Sequence, residues 1–157
     1  MPRNSTSSKR LQVISSQLSH HIANPQNTEM AARDPITCHA LDTTTGRPAA
    51  NLSVQLSCLS NPSIIFNCTT NSDGRISNWK HDAEKVSVLV EKHCKEEKPG
   101  QPAGSSVWQL KFDTGSYYGL DKTFWPFVEL TFLVKDGEHF HVPLLLGPYS
   151  YTTYRGS

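Results

Sequence analysis

The chain has 157 residues, and its 15 Lys and Arg nearly cancel 14 Asp and Glu to leave a formal net charge of +1. A balance this close to neutrality gives no electrostatic case for nucleic acid or an anionic membrane as partner, and no apolar run approaches the roughly 18 residues of a membrane-spanning helix. The length suits one domain with its own core plus some appended sequence, and a soluble protein is the expectation.

Residues 1–33 are rich in Ser, Asn and Gln and poor in aromatics, too polar to build a core, so a disordered tail is expected there. Within it, "RLQVISSQL" (Arg10 to Leu18) follows the pattern of a type-2 peroxisomal targeting nonapeptide: a basic residue, an aliphatic, five residues, Gln and Leu. A short helix there would put Leu11, Ile14 and Leu18 on one face. The segment reads as an address for a peroxisomal import receptor, with the cytoplasm as the alternative location.

From Asp34 to Ser157 the texture is that of an all-β protein. "ITCHALD" reads as a strand closed by the turn-forming "TTTGRPAA". "NLSVQLSCL" alternates, with Leu52, Val54, Leu56 and Cys58 on one face. "SIIFNCTT" is a third strand, followed by the Asp-Gly turn "NSDGR". "HDAEKVSVLVEKHCKEEKPG" breaks the pattern: Asp82 can cap a helix whose stripe is Ala83, Val86, Leu89, Val90 and Cys94, with Glu91 one turn from Lys95 and Pro99-Gly100 as the stop. The competing strand reading uses Val86, Val88 and Val90, but the Glu and Lys content favours a helix. After a loop at "KPGQPAGSS" come the strands "SVWQLKFDT", "PFVELTFLV", "HFHVPLLL" and "YSYTTY", with a helical turn at "GSYYGLDKT". The Asp-Gly turn in "VKDGEH" makes its two flanking strands an expected hairpin. Seven or eight short strands with little helix mean a two-sheet sandwich or a barrel.

Four cysteines, Cys38, Cys58, Cys68 and Cys94, show neither a CxxC pair nor zinc-finger spacing. With no secretory signal peptide read, they are expected to be reduced and mostly buried. They also lack the Cys…Trp…Cys framework of an immunoglobulin module.

Polar residues placed oddly in strands carry the functional signal. His39 interrupts an apolar strand, Arg75 follows an Asp-Gly turn, and His139 and His141 flank Phe140 so that both imidazoles leave one face of a strand. Each has a plainer reading as a hydrogen-bonded or solvated residue. The His-x-His pair could also chelate zinc, given a third ligand such as His39 or a cysteine. No nucleophile elbow, P-loop, dinucleotide fingerprint or HExxH is present.

"ITCHALDTTTGRPAANLSVQL" and "HFHVPLLLGPYSYTTYRGS" together closely resemble the two signature segments of the transthyretin-related family. The final Tyr-Arg-Gly-Ser marks the enzymatic branch, the 5-hydroxyisourate hydrolases of purine breakdown. "NSDGRI" and "FDTGSYY" also look like family segments. The resemblance spans Ile36 to Ser157, apart from a longer stretch over residues 80–106. It implies a transthyretin-like sandwich of about eight strands with a short helix after the fifth, and a homotetramer, a dimer of dimers whose channel holds sites at the dimer–dimer interface. It places the catalytic set on His39, Arg75, His141 and Ser157. Tyr154, Arg155 and Gly156 complete the signature and, with His39 and Arg75, the substrate-binding set. His141, before Val142-Pro143, stands where the family's catalytic histidine does, and His139 at a less strict position. Gly147 replaces an expected serine before Pro148. The implied reaction opens the ring of 5-hydroxyisourate, needs no metal or cofactor, and gives 2-oxo-4-hydroxy-4-carboxy-5-ureidoimidazoline. Ser157 would supply its hydroxyl and a terminal carboxylate. A transthyretin-like hormone carrier would have no use for this set.

Overall fold

Alternation in the sequence becomes two stacked sheets in the computed structural model, which describes residues 32–80 and 84–157. The targeting-like nonapeptide at residues 10–18, nearly all of the expected tail and the proposed cap Asp82 lie outside the described residues. In β1 (Ile36–Asp42), Ile36, Cys38 and Ala40 are fully buried, while His39 and Leu41 lie half-buried on the opposite face. One sheet has, in order, β2 (Arg47–Pro48), β1, β8 (Phe140–Leu146) and β9 (Tyr151–Thr153), with β5 (Arg75–Ile76) also paired to β1. The other has β4 (Asn61–Thr69), β3 (Ser53–Cys58), β6 (Ser105–Phe112) and β7 (Val128–Lys135). The inner faces meet in a core that includes Leu56, Phe66, Trp108, Leu110, Phe112 and Leu144, each 1% exposed or less. Burying one such Leu or Phe contributes about 1.5–3 kcal/mol.

Counting the two-residue β2 and β5, the described residues hold nine strands. The short helix α2 (Thr114–Tyr118) therefore follows the sixth strand in chain order rather than the fifth, with β2 as the extra one. Asp113 caps it, accepting from the Ser116 amide at 3.0 Å.

The longer stretch contains α1 (Val86–Cys94), so the helical reading prevails over the strand. Val86, Leu89, Val90, His93 and Cys94 are buried, whereas Val88 is 47% exposed, the three-and-four spacing of one helical face. The N-cap is Lys85, without a side-chain bond. Nine residues with three valines make a marginal helix alone, so packing on β6 and β7 holds it. Cys94 Sγ lies 3.2 Å from Ser106 Oγ, and Trp108 Nε1 donates to the same hydroxyl at 3.0 Å. All four cysteines are free thiols, three of them buried, and burial pushes Cys38 up to about 12.

One expectation fails. The Asp136-Gly137 turn does not join a hairpin: β7 pairs with β6, while β8 pairs with β1 and β9 in the other sheet. Gly137, at φ +72°, reverses the chain as its Asp-Gly signal predicts. The two strands it separates each have partners already, so the turn carries the chain across the sandwich. β1 and β8 form the only parallel ladder among the described residues, from Ile36 opposite Phe140 to Asp42 opposite Leu146. A strand held between two others reads as a near-continuous apolar run, which is the texture of "FHVPLLL".

Candidate active site

The parallel ladder sets the site. Thr37 stands opposite His141 and His39 opposite Pro143, so Thr37, His39 and His141 leave the outer face of one sheet together. The His39 and His141 rings lie 6.5 Å apart between centroids, tilted by 31°. On the other side of β1, Arg75 is the register partner of His39.

Arg75 is placed by its turn. The Asn71 side-chain oxygen accepts from the amides of Asp73 at 3.0 Å and Arg75 at 2.8 Å, an Asx-type turn. Gly74, at φ +70°, donates to Asn71 O and accepts from the Ala40 amide at 2.8 Å. A Cβ at Gly74 would lie 2.3 Å from Ala40 O, so no other residue lets this turn dock against β1. Arg75 itself is exposed, with buried Ile76 anchoring the next position.

Both imidazoles are held below the ordinary histidine range. Burial is the main cause at His39, helped by the Arg75 charge and opposed by a hydrogen bond to the Asp73 backbone and by the Asp73 carboxylate. Burial also leads at His141, followed by the charges of Arg75, His39, His139 and Arg33. Two neutral imidazoles near pH 7 suit proton transfer in both directions. Thr37, only 4% exposed, lies between His139 and His141: its Oγ1 is 3.2 Å from His139 Nε2 and 2.9 Å from His141 Nδ1. These two histidines share a hydroxyl, and among the described residues no group of three or more His, Cys, Asp or Glu is arranged to hold a metal ion.

The last residues divide. Gly156 packs on His141, donating its amide to His141 O at 2.9 Å. Its φ is not positive; what demands glycine is the close approach, since a Cβ would meet His141 Cδ2 at 2.7 Å and Pro143 Cγ at 3.1 Å. Arg155 turns elsewhere, pairing with Glu138 at 2.9 Å and lying 5.1 Å from the Phe140 ring centroid. Tyr154 and Ser157 are exposed. Tyr154, Arg155, Glu138 and His141 share with Phe132 the wall of a concavity of about 680 Å³ to which His39 and Arg75 do not contribute. Gly147, the departure from the expected serine, donates its amide to Ser150 O at 2.8 Å. The structure thus brings His39, His141, Arg75 and Gly156 together, while Tyr154 and Arg155 share with His141 a concavity that His39 and Arg75 do not line. Sequence reasoning missed Thr37 and took Asn71 only as the first residue of a turn. Thr37 could have been found as the residue two before His39 on the same strand face.

A two-sheet sandwich with an imidazole pair and a guanidinium on one outer face defines a transthyretin-like protein equipped for acid–base chemistry. The chain belongs to the HIUase/Transthyretin family, whose family model matches residues 36–156. It is 39% identical over 126 residues to the 5-hydroxyisourate hydrolase of Mus musculus, covering 78% of this chain and 95% of that one. It is 38% identical over 129 residues to a probable 5-hydroxyisourate hydrolase of Schizosaccharomyces pombe, covering 78% and 90%. Among solved structures, Klebsiella pneumoniae 5-hydroxyisourate hydrolase matches with a TM-score of 0.56 and 27% identity over 78% of this chain and 98% of that one. Sea bream transthyretin, solved with thyroxine, matches at a TM-score of 0.55 and 22% identity over 78% and 94%, a likeness of fold.

Proposed function

We propose that this protein is a 5-hydroxyisourate hydrolase of urate degradation, opening the substrate ring to 2-oxo-4-hydroxy-4-carboxy-5-ureidoimidazoline without metal or cofactor. The observation that carries this reading is the His39–His141 pair, two neutral imidazoles 6.5 Å apart beside Arg75, in a chain similar to named hydrolases. Water attacks a ring carbonyl; the imidazole pair serves the removal of its proton and the protonation of the released nitrogen. The Arg75 guanidinium engages the substrate's planar acceptors and steadies developing negative charge. Gly156 holds the final segment against His141, and Ser157 adds a hydroxyl at the same place. Tyr154 and Arg155 complete the binding surface, Arg155 by exchanging Glu138 for substrate.

The site is proposed to work in a homotetramer, a dimer of dimers. Supporting this, β7 and β9 end their sheets with one side of each ladder open, and Phe124, Tyr149 and Tyr154 are 59–72% exposed. Exposed ladders and aromatic surface are what association covers. A second copy would also wall in His39 and Arg75. Peroxisomal targeting through residues 10–18 is proposed as well, on the nonapeptide pattern alone.

The deciding experiment follows the ultraviolet decay of freshly generated 5-hydroxyisourate with and without the protein. Acceleration proportional to protein concentration is expected. Unaccelerated decay together with saturable hormone binding would make the chain a carrier instead.

A further inference from the structure

We propose that Thr37 and His139 form a proton relay that lets His141 switch between base and acid without itself becoming a cation. The inference rests on the hydrolase reading above, and three observations lead to it.

First, the Thr37 hydroxyl touches both rings, His141 Nδ1 at 2.9 Å and His139 Nε2 at 3.2 Å. A hydroxyl carries one proton, so it donates to one ring and accepts an N–H from the other. The tautomers of His139 and His141 are therefore coupled. Second, the place where His141 sits is hostile to positive charge: it is half-buried, and the Arg75 and Arg33 charges reach it. Third, His139 is exposed, where water solvates a cation, while Thr37 between them is 4% exposed.

The proton count closes. At the start His141 carries Nδ1–H, donated to Thr37 Oγ1, and its Nε2 is bare; Thr37 donates to His139 Nε2, and His139 carries Nδ1–H. When water attacks, its proton goes to His141 Nε2. The Nδ1 proton moves to Thr37 Oγ1 as the Thr37 proton moves to His139 Nε2. His141 is now neutral in its other tautomer, and His139 is the imidazolium. When His141 Nε2–H is given to the leaving nitrogen, the two relay protons return. Every group ends as it began, and one water proton has reached the released nitrogen. His141 can thus perform both halves of the transfer, leaving His39 free to orient water or substrate. Thr37 and His139 act through His141 and are positioning residues.

The test uses the full chain and three variants. Thr37→Val, nearly isosteric, should lower kcat about tenfold or more with KM little changed, while Thr37→Ser, which keeps the hydroxyl, should recover most of it. His139→Ala should lose about tenfold in kcat, and millimolar imidazole should restore a large part by accepting the relayed proton, as a merely structural defect would not allow. Nitrogen-15 NMR of His141 without substrate should show its Nδ1 shift changed in Thr37→Val and kept in Thr37→Ser. A Thr37→Val enzyme turning over at the wild-type rate, a His139→Ala enzyme indifferent to imidazole, or an unchanged Nδ1 shift would each overturn the relay. If the unaltered protein does not accelerate 5-hydroxyisourate decay, the hydrolase reading fails, while the nitrogen shifts still decide whether the three groups are coupled.

Discussion

Gly156 lies flat against His141: its amide donates to the His141 carbonyl at 2.9 Å, and a Cβ in its place would sit 2.7 Å from the ring's Cδ2. A backbone contact this close makes the final segment a wall of the candidate site. Gly156→Ala is expected to push the tail or the ring aside and lower kcat/KM by on the order of 10-fold to 100-fold, a loss of about 1.4–2.7 kcal/mol in transition-state stabilisation. The melting temperature should barely move, because the contact is at the surface of the sandwich. An alanine variant with native kinetics would remove this segment from the chemistry.

Replacing His39 or His141 by Asn should each cost about 10²-fold or more in turnover, with the fold intact because both rings stand on the outer face of their sheet. His139→Ala should lose distinctly less than either. Steady-state kinetics on the three purified variants provide the check. Equal losses at His139 and His141, with stoichiometric zinc in the protein, would favour a metal site.

The pH dependence has a definite sign. Burial and the Arg75 charge lower the affinity of His39 and His141 for protons, so both stay neutral at pH 7 and below the ordinary histidine value of about 6.5. The acid limb of kcat/KM should therefore fall below that value, and Arg75→Gln should shift it upward. The unfolded chain takes up these protons at higher pH than the folded one. Stability from this source is thus fully present above about pH 6.5 and lost as pH falls through the folded values. A limb unmoved by Arg75→Gln would show that Arg75 is not the neighbour that tunes the pair.

Gly74→Ala should be the most damaging change in the Arg75 turn. Its Cβ would meet Ala40 O at 2.3 Å, and φ +70° adds strain. A loss of about 2 kcal/mol or more in stability is expected, read from denaturant midpoints, with activity falling further than folding because Arg75 is carried by the same turn.

Light scattering should give a mass near four chains, and a fusion of residues 1–33 to a fluorescent protein should reach peroxisomes. Arg10→Ala with Leu18→Ala should abolish that delivery. A fully active monomer would remove the interfacial site, and diffuse fluorescence of the intact fusion would leave the cytoplasm as the location.

Much of the fold was legible because β3 obeys a period of two and turn residues bound the other strands; for α1 the valines fit either period, and the Glu and Lys content favoured the helix. His39 was legible as a polar interruption of an apolar strand, Arg75 as the residue after an Asp-Gly turn and His141 as one of two imidazoles on one strand face; their selection as a set came from the family resemblance. The Asp136-Gly137 turn was misjudged because turn residues encode a reversal of direction, not which sheet the next strand joins; that depends on partners supplied from distant sequence. Thr37 escaped because a threonine in a strand is unremarkable until His139 and His141 arrive beside it from over a hundred residues away. Asn71 and Gly74 were seen as turn formers, yet their task of presenting Arg75 to β1 depends on the docking of Gly74 against Ala40.

The parallel ladder between β1 and β8 has a kinetic consequence. Thr37 and His39 are made early on the ribosome, whereas His141 follows only after β1 to β7 have been synthesised. A pairing of such long sequence separation must overcome a large loop-closure entropy before its contacts contribute, so β8 can pair early with its neighbour in the chain, β9, but joins β1 late. Function should return in refolding only with the slowest structural phase, behind the β3–β4, β6–β7 and β8–β9 pairings between strands consecutive in the chain. For this molecule, activity would serve as a clock for complete folding.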